Sequence, residues 1–537
     1  MILPPRPQNQ HRPDRPRPQI DLFATAGPPP PRHLPSLDRF AAPPWNRCAP
    51  EWIAIDDTLP VDHLAHVIDE AVDQLDLTPL FASYAGVGSR AHRPDLMLKI
   101  VLYEIQTGHR SPAQWARDAG DRRCLLWLGL GIAPSRNRWY DFRDRVGPLL
   151  VTFNRQVLEW AVARGLTTAS KGSLDGTIIA ANASRHRLIN LARLQRRLAE
   201  LDRVIAADKA RQDPGPIPAW MARLPATRRR QRYRFAEARR TLLKEHARYA
   251  RRPADKRQEP AKIVISPSDF EAALGRDKEK VFRPLYTLQV VQDLESPLVL
   301  GYEVFARATD AGTLMPLRQR AHDLTGVWLE RLLADSAYAS ALDLVDCTKA
   351  GVDLYAPYQE NDQTERRRSE KPDRQIPKSE FDWLPEEGTY VCPRGHRLKR
   401  IGQETRDRAE ERSVEIAIYR CPKEHCQSCP LAKRCTRGAN GRTIKRNEHE
   451  ELIAAHQAKM KTAEAKAIYK QRGQTIELRF ADAKEHRGLR RFSSRGLERV
   501  RIEVGLSVLA HNLVVVQTAR RQKAAEGENG TSCQDAA

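Results

Sequence analysis

The chain lacks an uninterrupted apolar run long enough to cross a bilayer. Its most apolar stretch, around Val500–Val516, is broken by Arg501, Glu503 and His511, groups that are costly to bury in hydrocarbon. It also lacks the basic, apolar and small-residue order of a secretion signal, because Met1–Leu3 runs straight into Pro4, Pro5 and Pro7. A cytoplasmic protein with no membrane segment is expected. No phosphate-binding P-loop and no dinucleotide fingerprint occurs, which removes the nucleotide-dependent classes built on those loops. A zinc protease is excluded as well, since His449-Glu450-Glu451-Leu452-Ile453 has no second His four positions on. Nine cysteines are an odd number, and five of them lie between Cys392 and Cys435. That clustering suits reduced thiols or metal ligands better than a disulfide frame.

What the chain has in excess is positive charge. Among 537 residues, 90 Lys plus Arg face 68 Asp plus Glu, for a formal charge of +22. Such a surplus attracts polyanions, nucleic acid first among them. The length allows three or four domains at about 150 residues each. Residues 1–49 are rich in Pro and Arg with almost no apolar period, so they read as a disordered arm that cannot offset its ordering entropy. Residues 50–168 turn helical: Ile68, Val72 and Leu75 keep a 3–4 spacing, and Leu96, Ile100, Leu102 and Ile105 repeat it. Ser111-Pro112 and Pro134-Ser135 start two helices, the second carrying Arg136, Arg138, Arg143 and Arg145. The pair reads either as a helix-turn-helix in which Arg136 and Arg138 meet DNA or as ordinary bundle helices with surface Arg.

Residues 173–180 are short and β-branched near their end, a buried strand with Asp175 in its middle. Leu191, Leu194, Leu198, Leu201 and Ile205 then step by three and four, and a Pro-rich turn at 214–218 leads into a second Arg-rich helical stretch. Residues 186–262 are therefore expected to form a helical hairpin inserted in a sheet domain, either against DNA or as a solvated charged pair. Strands at 285–292 and 298–305, a helix at 313–323, a run at 328–334 ending on Asp335, a helix at 340–350 and a strand at 352–356 follow. This alternation predicts an α/β domain with a mixed sheet.

A carboxylate in an apolar run needs a partner, a cap role or a metal. Singly, Asp175 before Gly176 reads as a turn residue and Asp335 before Ser336 as a helix cap. A third segment adds weight. Between Tyr469 and Lys484, Glu477 sits among Arg472 and other basic residues on a predicted helix, where Arg472 and Lys484 can meet phosphates and Glu477 can complete a hard-metal site.

With these residues the chain resembles insertion-sequence transposases that have an RNase H-like core and a DDE triad. Leu174-Asp175-Gly176-Thr177, Leu333-Ala334-Asp335-Ser336-Ala337-Tyr338 and the Tyr469, Arg472, Glu477, Lys484 signature carry the likeness, which extends over about 55–515. The eleven-eighty-two type is the most similar group. The resemblance implies that Asp175, Asp335 and Glu477 hold two Mg²⁺, with Mn²⁺ able to substitute, for strand cleavage and strand transfer. It implies that Tyr469, Arg472 and Lys484 position the transposon-end duplex, on which a homodimer pairs the two ends. It divides the chain into a core of 169–357 and 465–516, a Cys-rich insert of 358–464 and a disordered tail of 517–537. The chain departs from the family's pattern at Ala337, where Gly is frequent, and at Leu478-Arg479-Phe480-Ala481 after the Glu.

Within the Cys-rich insert, Cys426-x-x-Cys429 is a zinc half-site. Cys392, Cys426, Cys429 and Cys435 are the expected ligands of a structural Zn²⁺, with Cys421 as substitute. Free thiols are the alternative.

Overall fold

In a computed structural model, residues 37–84, 89–358, 376–407, 413–436 and 438–532 are described. Eight helices come first: α1 (Pro50–Asp56), α2 (Leu64–Gln74), α3 (Thr78–Ala82), α4 (Pro94–Gln106), α5 (Pro112–Asp118), α6 (Arg123–Leu128), α7 (Arg136–Val146) and α8 (Leu150–Ala163). Pro at the first turn of α1, α3, α4 and α5 costs no hydrogen bond there. Ser111 and Gln114 close a reciprocal cap on α5.

The chain then enters a mixed sheet of β1 (Lys171–Ala180), β4 (Ala273–Arg276), β5 (Phe282–Asp293), β6 (Val299–Phe305), β7 (Arg331–Leu333) and β8 (Asp353–Tyr355). β1 runs antiparallel to β5, with Asp175 opposite Val290, and parallel to β7, with Ser173 opposite Leu333. β6 pairs antiparallel with β5, while β8 pairs parallel with β7 through the crossover helix α12 (Ala341–Lys349). α11 (Leu314–Thr325) joins β6 to β7. The α/β class with a mixed sheet expected from the alternation is the class observed.

Alternation along β1 decides the layers. Leu174 joins the large core shared with α8, α11 and α12, while Ile179, of the same parity as Asp175, joins a second core on the opposite face. That second core contains Ile476, Phe480 and Ala483 of the helix α16 (Ala463–Glu485) and Val500, Val504 and Val508 of α17 (Leu497–Ser532). By length and composition 497–523 could cross a membrane, but 67% of its apolar window is buried in the fold.

Between β1 and β4, a hairpin of α9 (Leu191–Ala210) and α10 (Pro225–Ala250) is closed at its base by the short pair β2 (Ile189–Asn190) and β3 (Val264–Ile265). It has a core of its own, including Leu194, Leu201, Phe235 and Leu242. The cysteine region holds the hairpin β9 (Asp382–Leu384) and β10 (Thr389–Val391). A three-stranded sheet of β11 (Lys399–Asp407), β12 (Ser413–Arg420) and β13 (Thr443–Asn447) follows, with the short helices α13 (Lys423–Gln427) and α14 (Ala432–Cys435) between its last two strands.

Three expectations need correction. Residues 37–49, read as part of a disordered arm, are packed. Phe40 is buried edge-on against Phe81 and Tyr84, and Trp45 donates its backbone N–H to Leu130. These aromatics supply the apolar area that the surrounding prolines lack; residues 1–36 lie outside the described ones. The tail beginning at 517 is likewise not disordered at its start, because Gln517 is buried and bonds Glu70, and Arg521 pairs with Glu70 at 2.6 Å. The Cys-rich insert ends earlier than 464. The helix α15 (Glu450–Lys461) belongs to the core, with Ile453 in the main cluster, His456 at 2.7 Å from the Ala356 carbonyl oxygen and Lys459 bonded to the Leu354 carbonyl.

Candidate active site

Asp175 sits at the middle of β1, where parity turns its side chain toward the face covered by α16. Its Oδ1 accepts from the Gly176 N–H at 2.8 Å, and its Oδ2 lies 3.0 Å from the Arg472 guanidinium. Burial pushes its pKa up; Arg472 and the Gly176 N–H oppose, and Asp335 and Asp310 push further upward. β7 runs beside β1, and Asp335 lies two residues past its end, where it caps a 3₁₀ turn at Ser336–Tyr338 by accepting from the Ala337 N–H at 2.8 Å. Ala337 thus acts through its backbone, and its φ is not positive, so the glycine frequent in the resembled family is not required here.

Glu477 projects from α16 with 61% of its side chain exposed and stands 3.4 Å from the same Arg472 guanidinium that reaches Asp175. One cation therefore spans carboxylates from the first strand and from a helix far along the chain. The Tyr469 hydroxyl shares this field: burial raises its pKa, Arg472 lowers it, and Asp335, Asp175 and Glu477 raise it. Lys484, two turns beyond Glu477 on α16, is pushed down by burial and by Lys278 and Arg490, while Asp175 pulls it up.

Sequence reasoning missed a fourth carboxylate. Asp310 lies in the loop between β6 and α11, its pKa raised by burial and by Asp335. Gln289 of β5 donates to its Oδ1, and the Tyr338 hydroxyl donates to Gln289 Oε1. Gly176 leaves the room: a Cβ there would lie 2.6 Å from Asp310 Oδ1 and clash with Gln289 Nε2, forcing the pair apart. In sequence, Asp310 before Ala311-Gly312 carries only a turn signal.

These groups offer only oxygen donors, which suits a hard cation such as Mg²⁺ or Mn²⁺. Crowding of Asp175, Asp310 and Asp335, with two of the three raised in pKa by burial and by Asp335, is the electrostatic condition that a divalent cation relieves.

A tighter ligand cluster lies elsewhere. Glu104 of α4, His109 and Asp118 of α5 have ligand atoms within 4.8 Å of one another. The Arg122 guanidinium stands 2.7 Å from Glu104 and 3.0 Å from His109 Nδ1. Burial and Asp118 push the Glu104 carboxyl up to about 8 despite that Arg.

Arg136 and Arg138 are exposed on the first turn of α7, Arg136 over the Tyr140 ring at 5.8 Å and Arg138 3.4 Å from Ser89. α7 packs on α5 through Trp139 and Trp115, but α6 lies between them in the chain, so no single turn joins the pair. No contact among the described residues links Arg136 or Arg138 to the carboxylates.

Cys392, Cys421, Cys426, Cys429 and Cys435 line one pocket with His396 and His425, whose rings stack at 4.1 Å. Cys421, named only as a substitute ligand, is the most buried of the five. Burial raises its thiol pKa, and so do its contacts with Cys426 and Cys392. Burial raises Cys435 too, Arg442 opposes, and Cys426, Cys429 and Cys392 add to the rise.

The departure after Glu477 has a structural counterpart. Leu478 is exposed, while Arg479 is half-buried with His511 Nδ1 at 2.9 Å and Asp482 at 3.4 Å. Burial and Arg479 push His511 down to about 3, so it stays neutral beside the guanidinium.

No curated protein matches the chain. A family model described as the transposase DDE domain matches residues 391–517, a span that includes the cysteine cluster, Glu477 and most of α17 but stops short of Asp175 and Asp335. Over that span the chain is similar to the DDE transposases.

Proposed function

We propose that the protein is a DNA transposase that binds the terminal inverted repeats of its element as a dimer on paired ends and catalyses strand cleavage and strand transfer. The observation that supports this best is Arg472, whose guanidinium stands 3.0 Å from Asp175 and 3.4 Å from Glu477 while Asp335 acts on Asp175. The strand order β6-β5-β1-β7-β8, antiparallel among the first three and parallel among the last three, is the arrangement expected of an RNase H-like core.

Asp175, Asp335 and Glu477 would hold divalent Mg²⁺, with Asp310 beside them. Ions bound there would supply activation of the attacking water or 3′-hydroxyl and stabilisation of the leaving oxygen. Arg472 and Lys484 bind the phosphates flanking the scissile bond, and Tyr469 packs against the sugar or base beside it. Arg472 exchanges its carboxylate contacts for phosphate contacts when DNA enters.

The test is incubation of the full chain with a labelled duplex carrying the inverted repeats that flank its gene, in Mg²⁺, Mn²⁺ or EDTA. Cutting at the repeat ends with either metal, and none in EDTA, is expected. Cutting that ignores the repeats would indicate a general nuclease, and no cutting in either metal would sink the reading.

We infer in addition that the thiols of Cys392, Cys426, Cys429 and Cys435, with Cys421 packed against them, hold a structural Zn²⁺. Their convergence on one pocket supports this. The purified protein is expected to contain about one zinc per chain, and a zinc-selective chelator should lower the unfolding temperature of the cysteine region. A zinc-free preparation whose melting is unmoved by chelator or added zinc would refute it.

A further inference from the structure

The helical hairpin and the sheet domain leave between them a groove of about 1170 Å³. Its walls come from the turn after β1, the first turns of α9, the middle of α10 and the segment after α16. Eight arginines line it, among them Arg187, Arg193, Arg197, Arg234, Arg491 and Arg495, and Glu279 is the only acid in its lining among the described residues.

Some arginines on the hairpin are paired with carboxylates and others are not. Elsewhere on α10, Arg228 pairs with Asp208, Arg232 with Asp202, Arg240 with Glu237 and Arg248 with Glu245. Of the eight groove arginines, Arg283 pairs with Asp277 at 2.9 Å, and none of the other seven has a carboxylate within 4.0 Å among the described residues. Arg234 comes from the hairpin and Arg495 from the core, and burial and then Arg495 depress the Arg234 pKa. Arg197 is depressed by burial and then by Arg193, with Glu200 opposing. Gathering unpaired guanidinium groups in a concave surface is unfavourable for the protein alone and favourable once a polyanion fills it. One wall carries Trp220, stacked on Phe235 at 6.0 Å with Arg197 4.8 Å above its ring. That stack fixes the Arg197 guanidinium in place.

The groove begins just past the end of the strand that carries Asp175. β1 carries Asp175 and ends at Ala180, whose carbonyl accepts from the Phe492 N–H, and Asn182 bonds the Ser493 carbonyl at 2.6 Å. Arg491 and Arg495 are thereby tied to the strand that bears Asp175. From Asp175 to Asn182 an extended chain rises about 23 Å, close to seven base pairs of duplex at about 3.4 Å each.

We propose that this groove is a second DNA-binding site, in which unpaired arginines from the hairpin and the core clamp the phosphate backbone of the duplex roughly seven base pairs from the bond cut at Asp175. The inference rests on the transposase reading and assigns the inserted hairpin a DNA-holding role. Double-stranded DNA is favoured because the charges lie on two opposed walls, whereas the one stacked aromatic pair is occupied by its own neighbours.

The salt dependence of binding separates the two readings. The full chain is titrated by fluorescence anisotropy with a duplex carrying the flanking inverted repeat, over a range of salt, as wild type, as Arg193→Ala/Arg197→Ala and as Arg234→Ala/Arg495→Ala. Each phosphate contact contributes about 0.9 to the slope of log affinity against log salt, so each double variant should lose roughly 1.8 of slope. Arg234→Lys/Arg495→Lys, which keeps the charges, should retain the slope, as should Arg240→Ala, whose partner lies outside the groove. Wild-type slopes in both Ala variants, with binding intact, would overturn the groove assignment and leave the function standing. Preferential binding of single-stranded DNA or RNA that the Ala variants lose would overturn the duplex assignment. A wild-type protein that binds no duplex at low salt would overturn both readings.

Discussion

Asp335→Asn and Glu477→Gln are each expected to reduce Mg²⁺-dependent end cleavage by about 10³-fold or more, with end binding retained. The magnitude follows from the several kcal/mol that a bound metal contributes to the transition state, at about 1.4 kcal/mol per factor of ten. Amide replacements keep size and shape while removing the charge that grips the ion. Asp335→Asn keeps the acceptor for the Ala337 N–H, so the 3₁₀ turn stays capped. Glu477 is 61% exposed and its contact with Arg472 is long at 3.4 Å, so its loss should move the melting temperature little. Gel assays of cleavage, run beside filter binding of the same duplex, make the measurement. Cleavage near the wild-type rate in either variant would remove that residue from the triad.

Arg110→Ala is expected to destabilise the protein by about 3–5 kcal/mol, the usual effect of stranding one member of a buried ion pair. Arg110 follows α4, and its guanidinium bonds Glu503 of α17 and the Arg491 carbonyl. Both side chains are nearly fully buried, at 4% and 2% exposure. Glu503 also accepts from the N–H groups of Ser493 and Ser494 and from the Ser493 hydroxyl. The pair therefore joins the N-terminal helices, the loop after α16 and the C-terminal helix at one point. Removing the cation leaves a buried carboxylate with hydrogen bonds but no counter-charge. The variant should unfold at clearly lower denaturant, and Arg110→Ala/Glu503→Gln should recover part of the loss. A change below about 1 kcal/mol would mean that those hydrogen bonds alone satisfy Glu503.

Much of the fold was legible because local pattern and burial agree. β5 and β6 turn at Asp293–Pro297, where Ser296 bonds Asp293, and the a/d stepping from Leu191 marks α9, whose Leu194, Leu198 and Leu201 fill the hairpin core. The edges were less legible. Phe40 and Trp45 sit among prolines that mask a packed segment, and Ile453 reaches the main core from a charged helix too weakly patterned to betray it. Asp310 was invisible because a lone Asp in a loop is the commonest of turn residues, and only Gly176 and Gln289 give it an address.

By itself the sequence determined the basic charge, the strand-and-helix alternation and the three acidic segments with their Tyr, Arg and Lys neighbours, because periodicity and motif spacing are written locally. Tertiary structure alone decided what those residues face. Parity on β1 sets Asp175 under α16, the parallel neighbour β7 delivers Asp335, and Arg472 spans the strand and the helix. The same holds for the groove: whether an arginine pairs with a carboxylate on its own hairpin or stands unpaired across from the core depends on which helix face it occupies and what that face meets, and chain order does not specify either.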